Sequence, residues 1–458
     1  MKPSHTLPRG YCLRAMLALT LAAGAGGAHA QLRLPSINLP SPSPLGALDV
    51  DRGLDRLRDR AALPDLRGVR LDQVSRLLNR HRDVLEADPR GEAVVRREIL
   101  AWALSPAALA AALADGLRVE RTIGGDPGGN PGGEPTAPRM LVLRLPDGAD
   151  TAGVLARLRA RDPDAVYDFN HIYTGSAAGA MADPMPDPAP PPHAGAQDHA
   201  SGATRGGPRI GLVDSGVDAT HAVFRGARIE RWGCAGQPHP SAHGTAVAAL
   251  MVGQSGRFRG AAPQADLYAA DIYCDSPTGG SADKIAAALA WLAGEKVAVI
   301  NLSLVGPANA ALERIVAALQ QRGHLLVAAV GNDGPAAPPL YPASYPGVVG
   351  VSAVDRNGRA LPEAARGPQV MFAAPGNNMV SAAPGMPAFR PVRGTSFAAP
   401  LVAALLSQSV TGPSKTQAAA AIAALAKQAV RADGATVSNE TGYGVVGAAL
   451  RVDPGSFR

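Results

Sequence analysis

The sequence predicts an α/β fold: a doubly wound, mostly parallel sheet with a smaller N-terminal α+β unit in front of it. Two observations carry this. From Arg209 onward, short apolar runs alternate with helical stretches, and strands that are apolar on both faces belong to a parallel sheet covered by helices on each side. Before residue 176 the apolar segments are shorter and are interrupted by Arg-rich stretches and by Gly/Pro-rich breaks. The 458 residues leave room for both parts, at roughly 150 residues per domain.

Residues 1–30 read as a signal peptide. Lys2, Arg9 and Arg14 give a positive start, Ala15 to Ala23 is apolar, and Ala28-His29-Ala30 is a small-x-small cleavage site. The mature chain then starts at Gln31, which is not a cysteine and so takes no lipid anchor. The apolar run falls short of the roughly 20 residues a membrane span needs, and no later stretch is long and apolar enough. The mature protein is expected to be exported, secreted or periplasmic. Of the three cysteines, Cys12 leaves with the signal. Cys234 and Cys274 remain as an even pair in an oxidising compartment, where a disulfide is expected. The alternative is two unpaired thiols. Neither cysteine has the spacing of a zinc site.

Residues 31–115 read as a Pro-rich segment followed by a helical region. Gln31 to Asp51 is rich in Pro, Ser and Leu. Arg52 to Asp115 has helical periodicity, with Leu71, Val74, Leu77 and Leu78 on one face. Val94 to Ile99 reads as a solvated, salt-bridged helical stretch, and Ser105-Pro106 opens a further helix. Residues 116–175 form the expected α+β unit: strands at Leu117 to Ile123, Met140 to Leu145 and Ala165 to Tyr173, with a helix at Ala152 to Ala160. Residues 176–208 have no periodicity and read as a linker. Residues 209–458 carry the doubly wound pattern. Its strands are Ile210 to Val213, Leu267 to Ile272, Val297 to Leu302, Leu325 to Val330 and Val348 to Val354. Its helices are His243 to Val252, Ala282 to Leu292, Ala310 to Arg322, Ser396 to Ser409 and Lys415 to Ala429.

The net charge of +6 rests largely on arginine. No basic run interleaves with aromatics, as a single-strand binder would need, so nucleic acid is not an expected partner.

An open parallel sheet places reactive groups at the carboxyl ends of its strands, and four residues stand at such places. Asp214 ends the strand Ile210-Gly211-Leu212-Val213; it is either a helix cap or a functional acid. His243, in Ala242-His243-Gly244-Thr245, starts an Ala/Val helix, as a polar cap or as a base. Ser396 opens another helix in Gly394-Thr395-Ser396-Phe397-Ala398-Ala399-Pro400; a plain N-cap is the bland reading. Asn332 follows a strand in Gly331-Asn332-Asp333-Gly334, as a turn residue or as an amide donor. Peptide cleavage by a serine needs a nucleophile, a base, an orienting acid and oxyanion donors, and these four supply one each.

Together the motifs resemble those of the subtilisin family, which has the order Asp, His, Ser. Val299-Ile300-Asn301-Leu302-Ser303-Leu304, Tyr341-Pro342, Tyr345-Pro346, Ala374-Pro375-Gly376 and Gly442-Tyr443-Gly444 resemble it too. The likeness covers roughly Arg209 to Leu450. It implies a serine endopeptidase that acts through an acyl-enzyme on Ser396. Asp214 is then the orienting acid, His243 the general base and acid, and Asn332 an oxyanion donor with the Ser396 N–H. Ser303, Leu304 and Val305 would pair with an extended protein or peptide substrate. Ala328, Ala329 and Val330 would form the second wall of the primary pocket, and Leu340 its floor. Leu340 and Val305 stand where deep-pocketed members have glycine, so a small residue is expected before the scissile bond. Asp333 at the rim would otherwise favour Arg or Lys. The α+β unit resembles the family's pro-domain, an intramolecular chaperone and inhibitor. No cofactor is required; many members bind calcium, and no carboxylate-rich loop here is assignable to it.

Three other readings remain in view. An α/β-hydrolase needs Gly-x-Ser-x-Gly, and Ala398 stands where the second Gly should be. A catalytically inactive binding protein on the same scaffold would lack part of the triad, and no member is missing. The Arg-rich N-terminal region could also be an adaptor that docks the enzyme on a partner.

Overall fold

A computed structural model describes residues 66–124, 139–175, 207–431 and 436–457. The expected signal peptide, the Pro-rich segment and residues 176–206 of the linker lie outside the described residues.

The N-terminal unit opens with α1 (Leu66–Arg80), β1 (Leu85–Ala87) and β2 (Ala93–Trp102). α2 (Pro106–Ala114) follows, with Ser105 Oγ accepting from the Ala108 N–H and proline at its start. β3 (Arg118–Gly124), β4 (Arg139–Arg144), α3 (Thr151–Arg161) and β5 (Val166–His171) complete it. The strands form one antiparallel sheet in which β2 pairs with β1, β4 and β5. Its core gathers Ile99, Leu143, Leu155 and Phe169.

This corrects the expectation of a helical region up to residue 115. Val94 to Ile99 is part of a strand, and the sheet begins at Leu85 rather than after residue 116. The reason lies in the apolar pairs Val94-Val95 and Ile99-Leu100, which flank three charged residues. All four apolar side chains are buried, and the left-handed Arg97 (φ 60°) breaks the strand's register between them. The charges are not a solvated face either. Glu98 is buried and paired with Arg121 at 2.8 Å and Arg144 at 3.3 Å. On α1, Val74 packs against Leu85 with Leu77 and Leu78, whereas Leu71 is exposed.

The short β6 (Thr174–Gly175) leads out of this unit. The larger part then begins with β7 (Arg209–Asp214), β8 (Ile229–Trp232), α4 (Ala242–Val252), β9 (Asp266–Asp271), α5 (Ala282–Gly294), β10 (Val299–Leu302) and β11 (Leu304–Val305). It continues with α6 (Ala310–Gln321), β12 (Leu325–Ala329), β13 (Val349–Val354) and β14 (Val370–Pro375). A hairpin of β15 (Met379–Ala382) and β16 (Phe389–Val392), then α7 (Thr395–Ser407) and α8 (Lys415–Gln428), close the chain's regular structure.

Seven strands form a parallel sheet in the order β14-β13-β12-β10-β7-β9-β8. Successive side chains of a strand face opposite sides, and here both sides are apolar. Ile210, Leu212, Leu267, Val299 and Val327 pack with α4 and α7. Val213, Ala270, Ile300, Leu302 and Leu326 pack with α5 and α6. This is the doubly wound arrangement expected. β8 and β14, the two edge strands, had no sequence expectation: β8 is half exposed and shows no apolar run.

Candidate active site

Asp214 ends β7 and is almost wholly buried. Its Oδ1 accepts from the Ser215 N–H at 2.6 Å, from Ser215 Oγ at 2.9 Å and from His243 Nδ1 at 2.8 Å. Ser215 Oγ also accepts from the Gly244 N–H at 3.1 Å, which ties the strand end to the start of α4. Ser241 caps that helix through the His243 N–H. With Nδ1 committed to Asp214, Nε2 faces the cleft with no hydrogen-bond partner among the described residues. Burial pulls the imidazole's pKa down, but the charge and hydrogen bond of Asp214 outweigh it and leave it above 6.5.

Ser396 lies in the first turn of α7, and its Oγ is 3.3 Å from the Ser303 carbonyl. Gly394, just before the helix, has φ 125°, and a side chain there would press on Asn332 Nδ2 at 3.0 Å. Pro400 lies inside this helix and costs it one hydrogen bond. Lacking an N–H, it leaves the Ser396 carbonyl without its helical donor, and the Ser303 hydroxyl donates there instead at 2.9 Å. Ser303 therefore braces the serine, a role that the sequence did not indicate. Arg393 is held before Gly394 by a two-pronged pair with Glu363, at 2.6 and 2.8 Å.

Asn332 Oδ1 accepts from the Thr395 N–H at 3.1 Å, which turns Nδ2 toward Gly394 and the serine's side of the cleft. Asp333 beside it is not a solvated rim charge. Its side chain is 17% exposed, and Arg70 of α1 lies 3.4 Å away. Burial pushes its pKa up to about 6, against the pull of Arg70 and helped by Glu92.

Leu304 and Val305 are paired, antiparallel, with Gly175 and Thr174 of β6. A side chain at Gly175 would start 3.8 Å from His243 Nε2, so the N-terminal segment crosses the catalytic mouth. Leu340 is buried rather than turned outward. A side chain built on Gly331 would meet Leu340 Cδ1 at 2.5 Å and Val305 Cγ1 at 3.6 Å, so both fill the space beside the asparagine loop. Ala328 and Val330 face the α5/α6 core, while the side chain of Ala329 faces the opposite core with α7. The alternation of a strand makes this necessary.

Cys234 and Cys274 are joined in a disulfide. With Asp271 they are the one cluster of three potential metal ligands among the described residues, and the bonded sulfurs offer no thiolate.

A family model for the subtilase family matches residues 205–444. Subtilisin Savinase from Lederbergia lenta is 35% identical over 210 residues, covering 45% of this chain and 77% of that protein. Subtilisin E from Bacillus subtilis is 31% identical over 214 residues, covering 45% of this chain and 56% of that protein. An alkaline protease from Shouchella clausii is 35% identical over 210 residues, 45% and 54%; the chain thus spans about half the length of the latter two. Among solved structures, fervidolysin from Fervidobacterium pennivorans, a keratinolytic enzyme related to subtilisin, aligns with a TM-score of 0.61 at 21% identity. The alignment covers 80% of this chain and 62% of that one, a likeness of fold.

Proposed function

Because the chain belongs to the subtilase family, we propose that it is an exported serine endopeptidase with Asp214, His243 and Ser396 as its triad. The observation that carries this is the Asp214–His243 hydrogen bond, which fixes the tautomer whose Nε2 can take a proton. Ser396 Oγ attacks the scissile carbonyl and His243 Nε2 accepts its proton. Asn332 Nδ2 and the Ser396 N–H receive the developing oxyanion. His243 then passes the proton to the leaving amine, and water hydrolyses the acyl-enzyme by the same route.

The test is Ser396→Ala in the full chain. Turnover of casein should fall about 10⁶-fold, a scale measured on subtilisin itself, with the fold retained and the uncut chain accumulating. Wild-type-like proteolysis by the pure variant would end this reading. A wild-type chain that neither cleaves casein nor reacts with a serine-directed inhibitor would favour the inactive scaffold.

The N-terminal unit then acts as an inhibitor in place. β6 lies on β11 as a substrate strand would. Asp168 Oδ2 accepts from the Ala310 N–H at 2.7 Å and Asn170 Oδ1 from the Asp283 N–H at 3.1 Å, so a carboxylate and an amide oxygen of the N-terminal unit meet the first turns of α6 and α5. Leu340 and Val305 narrow the primary pocket and favour Ala or another small residue before the scissile bond. Overfilling such a site costs roughly 1–3 kcal/mol.

A further inference from the structure

The wall of the cleft opposite β11 is a loop, Tyr273 to Gly280, that leaves the end of β9. It folds on itself: the Ser276 N–H donates to the Tyr273 carbonyl, Gly279 to Ser276, and Gly280 to Ile272, at 2.8–2.9 Å. Its root is fixed by Asp271 Oδ1, which accepts from the N–H groups of Tyr273 and Cys274 at 2.9 and 3.1 Å. Its far end holds the strand that fills the cleft. The Gly280 carbonyl accepts from the Tyr173 N–H at 2.8 Å, and the Tyr273 hydroxyl donates to the Tyr173 carbonyl at 3.3 Å.

These bonds are all internal to the loop, or run to β9 or to the occupant. Tyr273 at the loop's root packs against the core beside α5, and beyond it the covalent tie sideways to another element is Cys274, bonded to Cys234 just after β8. An exposed His239–Asp275 pair runs the same way, but such a pair is screened and weak. The catalytic groups do not hang from this tie. Asp214 is held by Ser215 and His243, and Ser396 by the Ser303 brace.

We propose that the Cys234–Cys274 disulfide is a positioning element for substrate. It holds the Tyr273–Gly280 loop where it can grip the backbone of the residue that takes the place of Tyr173, and its reduction withdraws that grip while proton transfer continues. This rests on the endopeptidase reading above. The residues are positioning residues, since neither sulfur touches the reacting atoms.

The experiment uses the processed enzyme recovered from culture. Part of it is reduced with a dithiol and alkylated after folding, with mass spectrometry to confirm two modified thiols and circular dichroism to confirm the fold. Two substrates are compared: a chromogenic peptide with four residues before the scissile bond, and an ester of a single amino acid that cannot reach Gly280. The kcat/KM for the peptide should fall about tenfold, mainly through KM, while the ester and the rate of labelling by a sulfonyl fluoride change less than twofold. The Cys234→Ser, Cys274→Ser double variant should behave as the reduced enzyme does. Equal loss on both substrates, or loss on neither, would overturn the proposal. Untreated enzyme that cleaves neither substrate and resists the sulfonyl fluoride would instead overturn the endopeptidase reading.

Discussion

The two parts of the molecule are held together by different forces internally and across their junction. The seven-stranded sheet buries aliphatic side chains on both faces, and such a core is close-packed and permanent. The contact that the N-terminal unit makes with it is mixed: Leu100, Ile123, Met140 and Val142 pack in one cluster with α5, and polar groups surround them. Asn170, Asp283, Arg121 and Glu98 form one cluster, with Arg121 2.8 Å from Glu98 and 2.9 Å from Asp283. His171, Asp88, Arg90 and Asn309 form a second. Hydrogen bonds return little net free energy because water offers the same partners. On the inhibitor reading proposed above, the polar clusters at this seam would set the docking geometry of a piece that later leaves, while the all-apolar core holds the piece that stays.

Changes in the permanent part should strike chemistry and changes at the seam should strike release. Asn332→Ala gives the largest effect. Removing one oxyanion donor costs about 10²–10³ in kcat, a magnitude known from subtilisin. KM and the melting temperature should move little; an unchanged kcat in steady-state assays would take Asn332 out of the oxyanion site. Asp168→Ala comes next. It removes an α6 cap worth about 1 kcal/mol, so the full chain should become active about five- to tenfold faster, with the released enzyme's kcat unaltered. A time course of peptide cleavage checks this, and a slowed activation would contradict it.

Leu340→Gly should shift preference toward larger residues before the scissile bond by about tenfold, within the range one pocket methylene or two can supply. A chromogenic peptide series in which Phe is already preferred over Ala by the wild type would defeat the premise. The smallest effect is at Asp333, where α1 touches the larger part. Its folded pKa of about 6 lies above the ordinary carboxylate value. Between roughly pH 4 and 6 the folded chain holds a proton that the unfolded chain has lost, so stability falls as pH rises through that window. Asp333→Asn, in a Ser396→Ala background, should melt higher at pH 8 by an amount of order 1–2 kcal/mol, with no gain at pH 4. Thermal scans at the two pH values decide it.

The difference between the two parts also explains what could be read in advance. The central strand Leu325–Ala329 is apolar at every position, and Val299–Leu302 is so but for the buried Asn301, a pattern few other structures share. β2 reads as helix in the sequence because Arg96, Arg97 and Glu98 interrupt it at a spacing that also suits a charged helical face. Its pairing is set by neighbours distant in sequence, Leu143 and Phe169 against Ile99. β6 falls between the expected strand, which ends at Tyr173, and the linker, which begins at residue 176; Thr174 and Gly175 pair through their backbones and carry no side-chain signature. At the site, the motifs single out Asp214, His243, Ser396 and Asn332, while Tyr273, whose hydroxyl bonds the Tyr173 carbonyl, lies outside them. They did not supply the bonds between those residues, such as Ser303 to the carbonyl that Pro400 leaves free.

The order of strands in the large sheet has a consequence in time. β7 is flanked by β9 and β10, and β12, β13 and β14 follow outward, while Ser396 comes only after all of them. The N-terminal sheet is complete by His171. On the inhibitor reading, the N-terminal sheet needs none of the later chain to pair its strands, so the unit proposed to cover the cleft can form before the serine's helix is in place. Under that reading, the order of elements along the chain would act as a timer, with the cover preceding the site it covers.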